Sequence, residues 1–104
     1  MSDPQPIRLI AHFTVDDPER YHAYEQGFFP VLRRYGGRFV TYDDAPVVLE
    51  GEHVSGRTVM IEFDSEDDLR GWWESSEYRA LAEHRHAGTT THAVYYLHGP
   101  PVRG

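Results

Sequence analysis

The sequence contains no cysteine, which excludes disulfides, thiol catalysis and thiolate metal sites. No apolar run approaches the ~20 residues of a membrane span, so no membrane partner is expected. Basic residues are the minority: 10 Lys and Arg stand against 17 Asp and Glu, a formal net charge of -7. That balance repels a phosphate backbone, so no nucleic-acid partner is expected. The opening Met1-Ser2-Asp3-Pro4-Gln5-Pro6 has neither a basic n-region nor an apolar h-region. It does not read as a signal peptide, and a cytoplasmic location is the expectation. Phosphate-cradling glycine loops, dinucleotide fingerprints and nucleophile elbows are all missing. No cofactor is expected.

What remains is a chain of 104 residues, 39% hydrophobic and 13% aromatic. That length suits one domain with a modest core, to which pairing with a second copy would add burial. Residues 1–6 and 100–104 read as flexible tails around a single domain at 7–99. Ile7 to Val15 alternates as a strand, with Leu9, Ala11, Phe13 and Val15 on one face and Arg8, Ile10, His12 and Thr14 on the other. Asp16-Asp17-Pro18-Glu19 opens a helix, with an Asp cap and proline in the first turn. Tyr21, Tyr24, Phe28, Val31, Leu32 and Tyr35 give it an apolar stripe. Pro30 is expected to kink it, and Gly36-Gly37 to end it. Strands follow at Arg38–Tyr42, with Pro46–Glu50 as an extension, and at Gly56–Phe63. A second helix starts after Ser65 with an acidic first turn and takes a fresh cap at Ser75-Ser76-Glu77. Thr90 to His98 is the last strand.

The order strand, helix, strand, strand, helix, strand predicts an α+β, ferredoxin-like βαββαβ protein with a four-stranded antiparallel sheet. Its helices cover one sheet face. The other carries Ile10, Val40 and Met60, which would not stay bare in water. Face-to-face pairing of two sheets into a dimeric α/β barrel, a homodimer, is the expected remedy.

The run Tyr35-Gly36-Gly37-Arg38-Phe39 resembles the hallmark of domain-of-unknown-function family 1330, in the dimeric α/β-barrel superfamily. Asp17-Pro18 before Tyr21 and Tyr24, Pro30, Leu49-Glu50-Gly51 and Glu62-Phe63 fit the same pattern. Trp72, Ser75, Glu77-Tyr78 and Arg85 continue it, so the resemblance spans Ile7 to Gly99. It implies a ferredoxin-like protomer and a barrel-forming dimer, and no particular reaction. The sequence departs from the family pattern at His12, where relatives carry an acid, at Trp73 for a tyrosine and at Ser76 for a proline.

By alternation, His12, Arg38 and Glu62 share the open sheet face. Imidazole titrates near neutral pH and arginine presents a planar fork to an oxyanion. His12 and Glu62 are therefore the candidate catalytic acid/base pair, with Arg38 as the candidate anchor for a substrate oxygen. The plainer reading is an Arg38–Glu62 ion pair at the dimer seam. Trp72 and Trp73 point about 100° apart on a helix, one toward the core and the other toward a cleft edge. Together with Tyr42 and Tyr96 they are candidate stacking walls for a small aromatic ligand. Seven histidines are many for this length, but no ligand-spacing motif singles out a metal site, and none is expected.

Three functional readings stay open. One is a cofactor-independent enzyme of monooxygenase, isomerase or cyclase type acting on a small organic molecule, by analogy with barrel-dimer relatives. The second is a non-catalytic module that binds such a ligand. The third is a structural dimer.

Overall fold

The computed structural model describes residues 6–100, so the proposed tails lie outside the described residues except at Pro6 and Pro100. Chain order is β1 (Ile7–Val15), α1 (Pro18–Arg34), β2 (Arg38–Asp43), β3 (Arg57–Phe63), α2 (Glu66–Glu74), α3 (Ser76–Gly88) and β4 (Thr89–Leu97). The four strands form one antiparallel sheet in the order β2-β3-β1-β4. This is the ferredoxin-like βαββαβ arrangement, with its second helical segment divided in two.

Local chemistry sets the element ends. The Asp17 carboxylate accepts from the Glu19 and Arg20 amides, satisfying donors that the first turn of α1 would leave bare. Ser75 ends α2 and caps α3 through the Tyr78 amide, so one serine produces the break. At the other end of α1, Gly36 adopts φ +81°. Its amide and that of Gly37 close on the Arg33 and Leu32 carbonyls, the left-handed cap that glycine takes at least cost. The helix runs on through Pro30 without a break.

The stretch expected to extend β2, Pro46–Glu50, is not a strand. It belongs to a connection in which Val47 and Leu49 are almost wholly exposed. β3, the strand beside β2, pairs with it only as far as Asp43 opposite Thr58, so the connection has no ladder to join, and Pro46 cannot donate to one.

Ile7, Leu9, Ala11 and Phe13 of β1 and Ile61 and Phe63 of β3 pack under the helices. There they meet Tyr21, Tyr24, Phe28 and Leu32 of α1, Leu69 and Trp72 of α2, and Tyr78 and Ala82 of α3. Gly27 lets α1 and α3 approach: a Cβ there would stand 2.7 Å from a Leu81 methyl. Among the described residues no helix is long and apolar enough to cross a membrane.

Candidate functional site

The two sheet faces offer different chemistry. On the open face, Arg38 and Arg8 are both register partners of Glu62. Glu62 accepts from Arg38 Nη2 at 2.7 Å and from Arg8 Nε at 2.9 Å, while Arg38 Nη1 also reaches Asp64 at 2.8 Å. Arg38 foremost, then Arg8, holds the Glu62 carboxyl below its ordinary value. Both carboxylate oxygens of Glu62 face a cation, which makes it a poor base.

His12 sits farther along. Its register partner is Thr58, four residues from Glu62 on the same strand, roughly 13 Å at the ~3.3 Å rise per residue. The structure does not bring His12 and Glu62 together as an acid/base pair. Instead His12 stacks on His53 with ring centroids 4.3 Å apart and lies 4.7 Å from His92. Its Nε2 faces the Val54 carbonyl at 2.9 Å and so must donate. Thr14 gives its hydroxyl proton to the Ser55 carbonyl, so it receives the His92 Nε2–H at 2.7 Å. These bonds tie the 44–56 connection to the sheet. No group of three metal-ligating side chains converges among the described residues.

The helix-side face holds a cavity of about 170 Å³ between the two layers. Phe28, Phe29, Phe39, Trp72, Trp73 and Tyr78 supply aromatic walls, and Leu9, Val59 and Ile61 the floor. Trp72 is 1% exposed and Trp73 36%, so one is packed beneath the cavity and the other forms its rim. Arg57 stands at the mouth. It is bonded to Asp44 at 2.7 Å, lies 4.6 Å over the Tyr42 ring, and has Glu25 at 3.7 Å.

Deeper in the cavity, Arg85 is only 3% exposed. It donates to the Thr91 hydroxyl at 3.0 Å and to His86 Nε2 at 3.2 Å, both uncharged acceptors as bonded here. None of the ion pairs among the described residues involves Arg85. The Tyr24 and Tyr78 hydroxyls meet at 2.9 Å. Burial, and then Tyr78, push the Tyr24 phenol well above its ordinary value, so it keeps its proton at neutral pH. The Trp72 indole N–H is buried and has no partner among the described residues.

Of the residues singled out from sequence, Tyr42, Trp72 and Trp73 line this cavity. Arg38, Glu62 and His12 lie across the sheet from it. Tyr96 borders a second, more open hollow beside Arg70 and His98, where its hydroxyl donates to Glu66 at 2.8 Å. Sequence reasoning missed Tyr24, Arg57, Tyr78 and Arg85 as site residues. A signal existed for both cations. Arg57 shares the alternation of Val59, Ile61 and Phe63, and Arg85 completes the Tyr78, Leu81, Ala82 stripe at helical spacing. A charge on a buried face calls for a reason.

A family model described as "Domain of unknown function (DUF1330)" matches residues 8–97. No curated protein matches the chain. Among solved structures, the RPA0582 protein of unknown function from Rhodopseudomonas palustris is 18% identical with a TM-score of 0.72, over 97% of this chain and 85% of that one. SnoaB, a cofactor-independent oxygenase from Streptomyces nogalater, is 16% identical with a TM-score of 0.64, over 94% and 96%. A dimeric ferredoxin-like protein of unknown function from Thermobifida fusca is 16% identical with a TM-score of 0.55, over 93% and 92%. At these identities the likeness is one of fold.

Proposed function

The chain belongs to the DUF1330 family, and from that starting point we propose that it binds a small, planar aromatic molecule in the cavity between helices and sheet. The observation that supports this is the cavity itself, walled by aromatic side chains and edged by Arg57 and Arg85. Size narrows the ligand. About 170 Å³ is close to the ~150 Å³ that accepts a benzene ring and below the ~300–1,000 Å³ of drug-sized sites. One ring, or two fused rings reaching the Trp73 rim, is the fit. A thermal-shift panel of monocyclic and bicyclic aromatics tests it, because a ligand confined to the folded state adds about 2.7 kcal/mol at a hundred times Kd. If no member raises Tm or alters tryptophan fluorescence, the reading fails.

The same protomer is proposed to pair through its open sheet face. Ile10, Met60 and Tyr95 are cross-strand neighbours in the middle of that face, with half-exposed Val40 and Leu97 nearby. The Thermobifida fusca neighbour is described as dimeric. Sedimentation should give a dimer that Met60→Arg dissociates. A monomer at micromolar concentration overturns the pairing.

A second functional reading is turnover of the bound molecule without a cofactor. The Tyr24–Tyr78 hydroxyl pair favours it, since a phenol that keeps its proton can stabilise an enolate or phenolate oxygen. The proposed reaction is oxygenation of an electron-rich phenol to a quinone with dioxygen as co-substrate: one oxygen atom enters the ring, and the other leaves as water with the ring and phenol hydrogens. Oxygen uptake with dihydroxynaphthalenes, in metal-free and flavin-free buffer, is the measurement. Uptake no faster than the protein-free rate removes this reading and leaves binding.

A further inference from the structure

The polar groups of the cavity are out of balance. A guanidinium has five N–H donors and no acceptor. Arg85 places one on Thr91 and one on His86, and the rest have no partner among the described residues. Two tyrosine hydroxyls bonded, among the described residues, only to one another spend one proton between them, leaving the other O–H without an acceptor there. The Trp72 indole N–H is likewise unspent. All of these residues line the same cavity. Of its residues, Glu25 alone carries a carboxylate; it stands at the exposed mouth and is engaged by Arg57 at 3.7 Å. Among the described residues the interior therefore holds one full positive charge and surplus donors, with no counter-charge. Buried charge without a partner is costly, and native interiors rarely leave several donors unmet.

We propose that the cavity is built for a small aromatic monoanion whose carboxylate or phenolate oxygen is held by Arg85. This rests on the cavity being the ligand site and adds the charge of the ligand. The planar fork of Arg85 suits a carboxylate, and burial makes the pair stronger than it would be in water. The spare donor on the tyrosine pair can serve a further acceptor on the ring. A neutral hydrocarbon of the same shape would satisfy none of these donors.

The test compares benzoate with benzamide, nearly the same shape but without the charge, by titration calorimetry on the whole protein. Benzoate is expected to bind at least about tenfold tighter, in line with a charged hydrogen bond. Arg85→Gln should abolish that preference while leaving benzamide binding in place. Its Tm should stay level or rise, because the variant removes an unpaired buried charge. A purely structural arginine predicts the reverse, a lower Tm with the preference kept. If R85Q is insoluble, Arg85→Lys, which retains charge but loses the fork, should weaken benzoate severalfold; unchanged affinity overturns the assignment. Equal binding of both probes by the wild type overturns the anion proposal but leaves the cavity as a ligand site. Failure of both probes to bind overturns the anion proposal, while the cavity as a ligand site falls only if the whole aromatic panel fails.

Discussion

Arg57 and Asp44 meet through two hydrogen bonds at the cavity mouth, Nε to Oδ1 at 2.7 Å and Nη2 to Oδ2 at 3.2 Å. Arg57 holds the Asp44 carboxyl below its ordinary value, the hydrogen bond being the main cause. The folded-state pKa is depressed, so the stabilisation is present above the unfolded value of about 3.9 and is lost as pH falls through the folded one. Carboxyl NMR should show Asp44 titrating below the ordinary aspartate range, and Arg57→Gln should return it there. Asp44 is more than half exposed, so Asp44→Asn should cost only about 0.5 kcal/mol. An Asp44 midpoint at the ordinary value would show that the pair does not persist in solution.

The Tyr24 and Tyr78 hydroxyls, buried against each other, should behave non-additively. Removing one leaves a buried phenol unpaired, at about 1–3 kcal/mol. Removing both leaves two matched phenylalanines. Tyr24→Phe and Tyr78→Phe should each destabilise by about that much. The double variant should cost clearly less than their sum, in a denaturant-unfolding cycle. Strict additivity would mean that the hydroxyls do not share a bond.

Adjacent tryptophans should differ sharply. Trp72 packs against Phe28, Phe63 and Tyr78, and Trp72→Ala should cost about 3–5 kcal/mol through the void it opens. Trp73 forms the rim, and Trp73→Ala should cost about 1 kcal/mol while weakening aromatic ligands at least severalfold. Urea midpoints and ligand titrations read the two effects separately.

The fold was legible because its signals are local and repeated. Alternation along Ile7–Val15 and Arg57–Phe63, the Asp17 cap, and the Ser75 break each specify an element without knowledge of its partner. Pro46–Glu50 reads as a strand because Val47, Val48 and Leu49 have strand-forming side chains, whereas a strand also needs a neighbour, and β3 pairs with β2 only as far as Asp43. The candidate site was only partly legible, for a similar reason. Alternation correctly puts Arg38, Glu62 and His12 on one face but says nothing about distance along it, so the four-residue offset between His12 and Glu62 appears only with the strand register. The cavity depends on how α1, α3 and the sheet stand apart, a property of packed layers. Arg85 could have been noticed on its apolar stripe, but its lack of a counter-charge is visible only once Glu25 and Arg57 have found each other.

The histidine at position 12 separates the two faces experimentally. Its ring lies on the open sheet face, stacked on His53 and bonded to the Val54 carbonyl, and it takes no part in the cavity under the helices. If ligands occupy that cavity, His12→Gln should leave the affinity for aromatic probes unchanged within about twofold. Its effect should fall instead on the 44–56 connection, where loss of the stack and of the Nε2–H bond frees the tether to Val54. Amide hydrogen exchange around Ser55 should quicken, because exchange there reports local opening. Thr14 still holds the Ser55 carbonyl, so the connection should loosen without detaching, and Tm should fall by no more than a few degrees. The opposite pattern, a tenfold or greater loss of affinity with exchange unchanged, would move the ligand to the sheet face. There a second protomer would have to complete the site, because His12 and Glu62 of one chain are too far apart to share a substrate atom.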